Sequence, residues 1–415
     1  MEQVESTLNF KDEMEKMHNP ERFFQIDILK TLMIFLVIFD HTIPWDIKNN
    51  LGVALWERIS IPIFVIIMGF NIAYSLKREK AIRKLKSTYT GSESFYSGNY
   101  FWKKLIRYGI PFVLLYIIST NIGALFYGPN IDLIEAGQWA GPLGPRFDAL
   151  HIIIGILPFW GPGNWFIPVI FEFVILAPWI YRGFSGSKSK AIITLIICYL
   201  VEIITQLIIF PLKNPNPPPT FPSLNTYYTA ILLLYGILPL LSAVGLGMWF
   251  SRDHDLFSKK NLFIWILFPL SLLYLIFYQF FGYHILVGNV SFITGDYNFL
   301  VFPYSAFIFL IALKFLPKDS TTKLAKIIKI ISKSTYHILL TQILYFGIVF
   351  ALYGDHYRAS IFGINHTEDI VAFLNLIINW SICVPLGILW WYIGNRIKIL
   401  IKQHIEIQEI ERTVD

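Results

Sequence analysis

Cysteine is scarce: two residues, Cys198 and Cys383, in a chain of 415. They fall in separate apolar stretches. That spacing excludes a disulfide scaffold and any cysteine-based metal motif, and leaves both as small core residues. Charge is also sparse, at 15% Asp, Glu, Lys and Arg against 55% hydrophobic residues. A disordered or nucleic-acid-coating chain needs the opposite balance, so the net charge of +6 is not a nucleic-acid signal. No Walker loop, dinucleotide fingerprint, zincin helix or nucleophile elbow occurs, and the sequence calls for no bound cofactor and no metal. The polar N-terminal segment lacks the apolar core and small-residue cleavage site of a signal peptide. The first apolar span is therefore expected to remain in the protein.

What the chain has instead is long apolar runs and aromatic residues, 17% of the total. About ten spans of near-membrane length can be drawn: 24–44, 56–76, 104–127, 163–181, 190–212, 228–250, 261–282, 298–316, 334–353 and 370–394. Lys and Arg concentrate in alternate connections, above all 77–103 and 314–333. The other connections carry only Lys48, Arg58, Arg146, Lys213 and Arg358. That bias predicts both termini in the cytoplasm. The expected architecture is an all-α polytopic membrane bundle with the lipid bilayer as its solvent, placed in the cell membrane. Residues 1–23 form a cytoplasmic segment, 24–395 the transmembrane domain and 396–415 a cytoplasmic tail. The proline-rich stretch 213–225 reads as an extended outer loop.

The first span, RFFQIDILKTLMIFLVIFDHTIPW (22–45), interrupts its apolar run with Asp27, Lys30, Asp40 and His41. Ionisable groups at such depth are costly and mark functional paths or paired interior positions. Lys30 and His41 lie eleven residues apart, three helical turns plus about 20°, so they share a face at an axial separation of about 16 Å. Asp27, at i,i+3 from Lys30, is its expected local partner. Asp40 is about 100° round the helix from His41 and is not expected to orient it. Further along, Lys104 and Arg107 stand at i,i+3 spacing just before Pro111, read either as topology markers or as a phosphate site. The glycines and proline of WGPGNWFIP break the helix before the next span, leaving Asn164 and Trp165 as helix cap and aromatic anchor or as ligand contacts. Glu172, two turns inward, needs a partner or a proton. Glu202 and Gln206 read as interhelical hydrogen-bond groups, and Gly236, Gly245 and Gly247 as packing positions. His337 reads as a core histidine more readily than as a catalytic one, and His356, in an outer loop, has no assigned role.

The order of these features resembles the acyltransferase-3 family of ten-span membrane O-acyltransferases. The family's first-span pattern, D-x-L-R, ten residues and His, is matched by Asp27, Leu29, Lys30 and His41, with Lys in place of Arg. Its second-span pattern is matched by Pro62, Phe64, Gly69 and Phe70, with Met68 in place of Ser. Its basic third-span opening is matched by Lys104, Arg107 and Pro111, and its W-[YF]-L start by Trp165, Phe166 and Ile167. The late S-Y-x-x-Y-L-x-H pattern is matched loosely by Thr335, Tyr336, Leu339 and Leu340, with Gln342 in place of His. The resemblance implies transfer of an acyl group, acetyl above all, from cytosolic acyl-CoA to a hydroxyl of an extracytoplasmic or lipid-linked carbohydrate. His41 would be the general base, with Lys30, Lys104 and Arg107 as donor contacts. Glu172, or a polar group near Asn164 and Trp165, would orient the base or hold the acceptor. The alternative from another class is a multi-span transporter or flippase, in which Lys30, His41 and Glu172 line a substrate or proton path.

Overall fold

The computed structural model describes residues 23–85, 98–127, 152–153, 155, 157, 161–213, 236–283, 285–287, 290–293, 297–364 and 368–414. Among these the chain is helical apart from two small antiparallel hairpins. The elements are α1 (Phe24–Thr42), α2 (Trp45–Asn50), α3 (Ser60–Leu85), α4 (Gly98–Lys104), a π-turn (Leu105–Gly109) and α5 (Ile110–Tyr127). They continue with α6 (Phe166–Phe184), α7 (Lys188–Lys213), α8 (Leu241–Phe250) and α9 (Leu262–Phe281). A hairpin of β1 (Ile285–Val287) and β2 (Val290–Ile293) follows, then α10 (Phe302–Phe315) and α11 (Lys323–Tyr353). The second hairpin, β3 (Ala359–Ser360) and β4 (Gly363–Ile364), leads into α12 (Asp369–Val414).

Among the described residues seven helices are long and apolar enough to cross a membrane. Helix α1, where the first span is expected, is apolar but carries Asp27, Lys30 and Asp40. Residues Leu238–Phe250 and Phe302–Phe315 form two shorter apolar helices where longer spans are expected. The expected span 228–250 begins in residues outside those described, as does most of the proline-rich loop 213–225. The protein is a multi-pass membrane protein. Exposed Ile193, Ile196 and Leu200 on α7 and Leu270 and Leu273 on α9 form an apolar exterior of the kind lipid solvates.

Helix α1 is enclosed by its neighbours, with Met33, Ile34, Val37 and Ile38 all buried. Along α11 it runs parallel: Thr31 Oγ1 donates to the Ile328 carbonyl and Lys30 Nζ to the Ser332 carbonyl, at 3.2 and 2.6 Å. From α12, Trp380 Nε1 donates to the Phe35 carbonyl at 3.0 Å. Small residues set the closest approach. A Cβ on Gly69 of α3 would collide with the Val244 carbonyl, and one on Gly247 of α8 with the Ile66 carbonyl. Such backbone proximity is the usual way apolar helices associate in lipid.

Glu172 and Glu202 serve the approach to α8 and its first turn. The Glu172 carboxylate accepts from the Ile237 N–H at 2.8 Å and packs against Gly236. Glu202 accepts from the Ser242 N–H at 3.0 Å, while Gln206 Nε2 donates to its other oxygen at 3.3 Å. A helix that begins without water leaves N–H groups in need of acceptors, and these carboxylates supply them at Ile237 and Ser242.

Candidate active site

His41 occupies the last turn of α1, 14% exposed at the side chain. What surrounds it is set by how the chain turns back. Pro44 ends α1, and the short α2 folds Lys48 onto the helix end. Lys48 is fully buried, yet its Nζ reaches both the Asp40 carboxylate (2.7 Å) and the Asp40 carbonyl (2.8 Å). Arg58, at the approach to α3, places Nη2 3.1 Å from the same carboxylate and Nε 3.3 Å from Glu57. Two anions, Asp40 and Glu57, thus balance two cations with little water present. Burial draws the Lys48 pKa below the usual lysine value, and the Asp40 carboxylate opposes that. The Trp45 ring lies 4.4 Å from both cations.

Asp40 does reach His41, contrary to the expectation from helical angle. Its Oδ2 lies 3.7 Å from His41 Nδ1. The offset of about 100° separates Cβ directions, but two adjacent side chains at a helix end can lean toward one another once no following turn intervenes. Glu172 is a candidate for orienting the base or holding the acceptor. Its carboxylate accepts from the Ile237 N–H just before α8, and the charged groups acting on His41 are Asp40, His356, Lys48 and Arg58.

The loop after α11 closes over the end of α1. Arg358 donates its N–H to the Thr42 carbonyl at 2.8 Å, and its own carbonyl accepts from Asn375 Nδ2 at 2.7 Å. The guanidinium reaches Asp46 at 2.6 Å and Asp369 at 2.9 Å. Among the described residues Arg358 is the one non-glycine with positive φ, 53°. Such strain persists where surrounding contacts enforce it, and it gathers at functional sites. Asn379, fully buried, ties Thr42, Ala359 and Tyr345 together. The clasp sets His356 beside the site, its ring 6.3 Å from that of His41. Burial pushes the His356 imidazole down to about 4, so it is neutral near pH 7.

The opposite wall comes from the glycine-rich turn before α6. At Gly163 φ is +88°, and a Cβ there would stand 3.2 Å from Gln342 Nε2 and 3.5 Å from His41 Nε2. The sequence places Gly here because a side chain would strain the backbone and fill the space over both nitrogens. Gly163→Ala is expected to lower stability by about 1–3 kcal/mol, measured as thermal unfolding in detergent. An unchanged midpoint would show that the turn relaxes freely. The same turn carries the expected contacts. Asn164 follows Gly163 directly, and the Trp165 ring lies 5.9 Å from Tyr297, whose hydroxyl meets Arg58 Nη1 at 3.4 Å.

The remaining candidates lie toward the other end of α1. Lys30 Nζ donates to the Ser332 carbonyl, and Ser332 Oγ donates to Asp27 at 2.6 Å, so both α1 charges meet one residue of α11. Lys104 and Arg107 flank the junction of α4 with the π-turn, an irregularity frequent at functional sites. Lys104 is electrostatically coupled to Arg107, and Arg107 to both His337 and Lys398 of α12. Among the described residues no group of three or more His, Cys, Asp or Glu side chains could hold a metal.

Sequence reasoning passed over Lys48, Arg58, Arg358 and His356. A signal for the first three was present. They are among the few cations outside the basic connections, and that scarcity singles them out. In comparison with known proteins, a family model described as "Acyltransferase domain" matches residues 23–396. No curated protein and no solved structure matches the chain.

Proposed function

The chain belongs to the acyltransferase-3 family, and from that premise we propose that it moves an acyl group from cytosolic acyl-CoA, acetyl-CoA above all, to a hydroxyl of an extracytoplasmic or lipid-linked carbohydrate. One observation carries the reading: His41 has its two ring nitrogens in different surroundings. Nδ1 faces Asp40 at 3.7 Å, while Nε2 faces the turn at Gly163. A carboxylate on the Nδ1 side favours the tautomer that holds its proton there. The Nε2 lone pair is then free to take a proton from an acceptor hydroxyl.

The chemistry follows in one displacement. The acceptor oxygen attacks the thioester carbonyl as Nε2 takes its proton. Asp40 stabilises the imidazolium so formed, and Lys48 and Arg58 fix Asp40 in turn. Collapse breaks the C–S bond, and the imidazolium returns the proton to the departing thiolate. Trp45, Trp165 and Tyr297 border this end with flat rings that suit the apolar face of a sugar. With both termini in the cytoplasm, Lys104 and Arg107 lie at the inner surface, where paired cations suit the phosphates of CoA. Lys30, which shares its face of α1 with His41, is assigned to the donor as well.

The double substitution Lys104→Ala, Arg107→Ala tests the donor end. Each lost phosphate contact is worth about 1.5–3 kcal/mol, so acyl-CoA affinity should fall at least tenfold while turnover at saturation changes little. Unchanged affinity would remove the phosphate assignment. Free thiol released from acyl-CoA, counted during the same assay, tests the reaction class, because a transporter or flippase leaves the thioester intact.

A further inference from the structure

Gln342 of α11 is fully buried, and neither its Nε2 nor its Oε1 has a hydrogen-bond partner among the described residues. A buried primary amide left in this state is costly, because both ends forgo water. Its surroundings show where it points. Gly163 faces Gln342 Nε2 and His41 Nε2 together, and the lack of a side chain at 163 keeps the gap between them open. One turn further along α11, Phe346 packs its ring 6.0 Å from that of His41. The amide is thus held on a rigid helix, beside the nitrogen read as the base, with two donor hydrogens unspent.

We propose that Gln342 is a catalytic residue whose Nε2 donates to the thioester carbonyl oxygen and stabilises the oxyanion formed there. This rests on the acyl-transfer reading. As the acceptor oxygen bonds to the carbonyl carbon, the C=O electron pair moves onto oxygen, and the hydroxyl proton passes to His41. The amide N–H groups meet the new negative charge. When the carbonyl re-forms, the C–S bond breaks, and the thiolate takes the proton back from His41 to leave as free thiol. A neutral amide suits this position. It cannot compete with His41 for the proton, and it adds no positive charge beside Lys48 and Arg58. The unpaired state of the side chain is then a ground-state cost held in reserve for the transition state.

The test compares Gln342→Leu and Gln342→Glu with wild type and His41→Ala, in purified full-length protein with labelled acetyl-CoA and a membrane glycan acceptor. Leucine keeps the volume without the polar atoms; glutamate keeps the shape without the amide donor. Removing one oxyanion donor lowers kcat by about 10²–10³-fold, and both variants should show that loss with KM for the donor nearly unchanged. Gln342→Leu should also unfold at a higher temperature than wild type, because it removes two unsatisfied polar atoms. A structural role predicts the reverse, lower stability with kcat retained in the folded fraction. Wild-type kcat in both variants would overturn the Gln342 proposal and leave the acyl-transfer reading standing. Wild-type kcat in His41→Ala, or no thiol release by wild type, would overturn that reading and the proposal with it.

Discussion

Replacing His41 with alanine is expected to lower acyl transfer by about 10²–10⁴-fold, the usual contribution of a positioned general base. The loss should fall on kcat. His41 stands at the C-terminal end of α1, whereas Lys104 and Arg107 belong to α4 and the π-turn, and Arg107 is electrostatically linked to Lys398 and His337. Acyl-CoA affinity, read by equilibrium binding, should therefore survive the substitution. A variant that binds the donor normally but releases no thiol would place the proton transfer at His41. Normal release would move the chemistry elsewhere. Asparagine at 41 should be as inactive as alanine, because an amide cannot accept and return a proton.

The second large effect concerns stability. Asp40→Asn removes the carboxylate shared by Lys48 and Arg58, with Lys48 Nζ only 2.7 Å away and its side chain fully enclosed. Stranding a buried charge costs about 3–5 kcal/mol. The variant should unfold well below wild type in the same detergent and lose transfer as well, because Nδ1 of His41 loses its carboxylate. Adding Lys48→Met removes the stranded ammonium and should recover a substantial part of the stability without recovering transfer. That split separates the two duties of Asp40, holding the end of α1 together and orienting the base. Additive losses in the double variant would show that Lys48 and Asp40 do not depend on each other.

The helical membrane character was legible because it rests on local composition: apolar runs, and cations gathered in alternate connections. His41 was legible for a related reason, since an ionisable residue in an apolar helix is conspicuous and Lys30 shares its face. The turn around Gly163 announced itself through glycine and proline. What stayed hidden depends on partners distant in the chain. Glu172 needed a partner, and the partner is the backbone N–H of Ile237, which no side-chain pattern reveals. Lys48 and Arg58 looked like isolated outer cations until α2 folded the first, and the approach to α3 the second, onto Asp40. His356 and Arg358 reach the end of α1 from more than three hundred residues away, held by Asn375 and Asn379 of α12. The short α8 was also unforeseen as a half-length element. Glutamates from α6 and α7 accept from the N–H groups of Ile237, just before it, and Ser242, in its first turn, so it can begin without water.

The central claim is that the acyl group starts at one end of the bundle and finishes at the other. Proteoliposomes of uniform orientation test it, with labelled acetyl-CoA added only on the side of the termini and an impermeant glycan acceptor enclosed on the opposite side. The account predicts label on the enclosed glycan, free thiol on the donor side, and neither product with His41→Ala. Label found only on acceptor added to the donor side, or label on the enclosed glycan with His41→Ala, would contradict it.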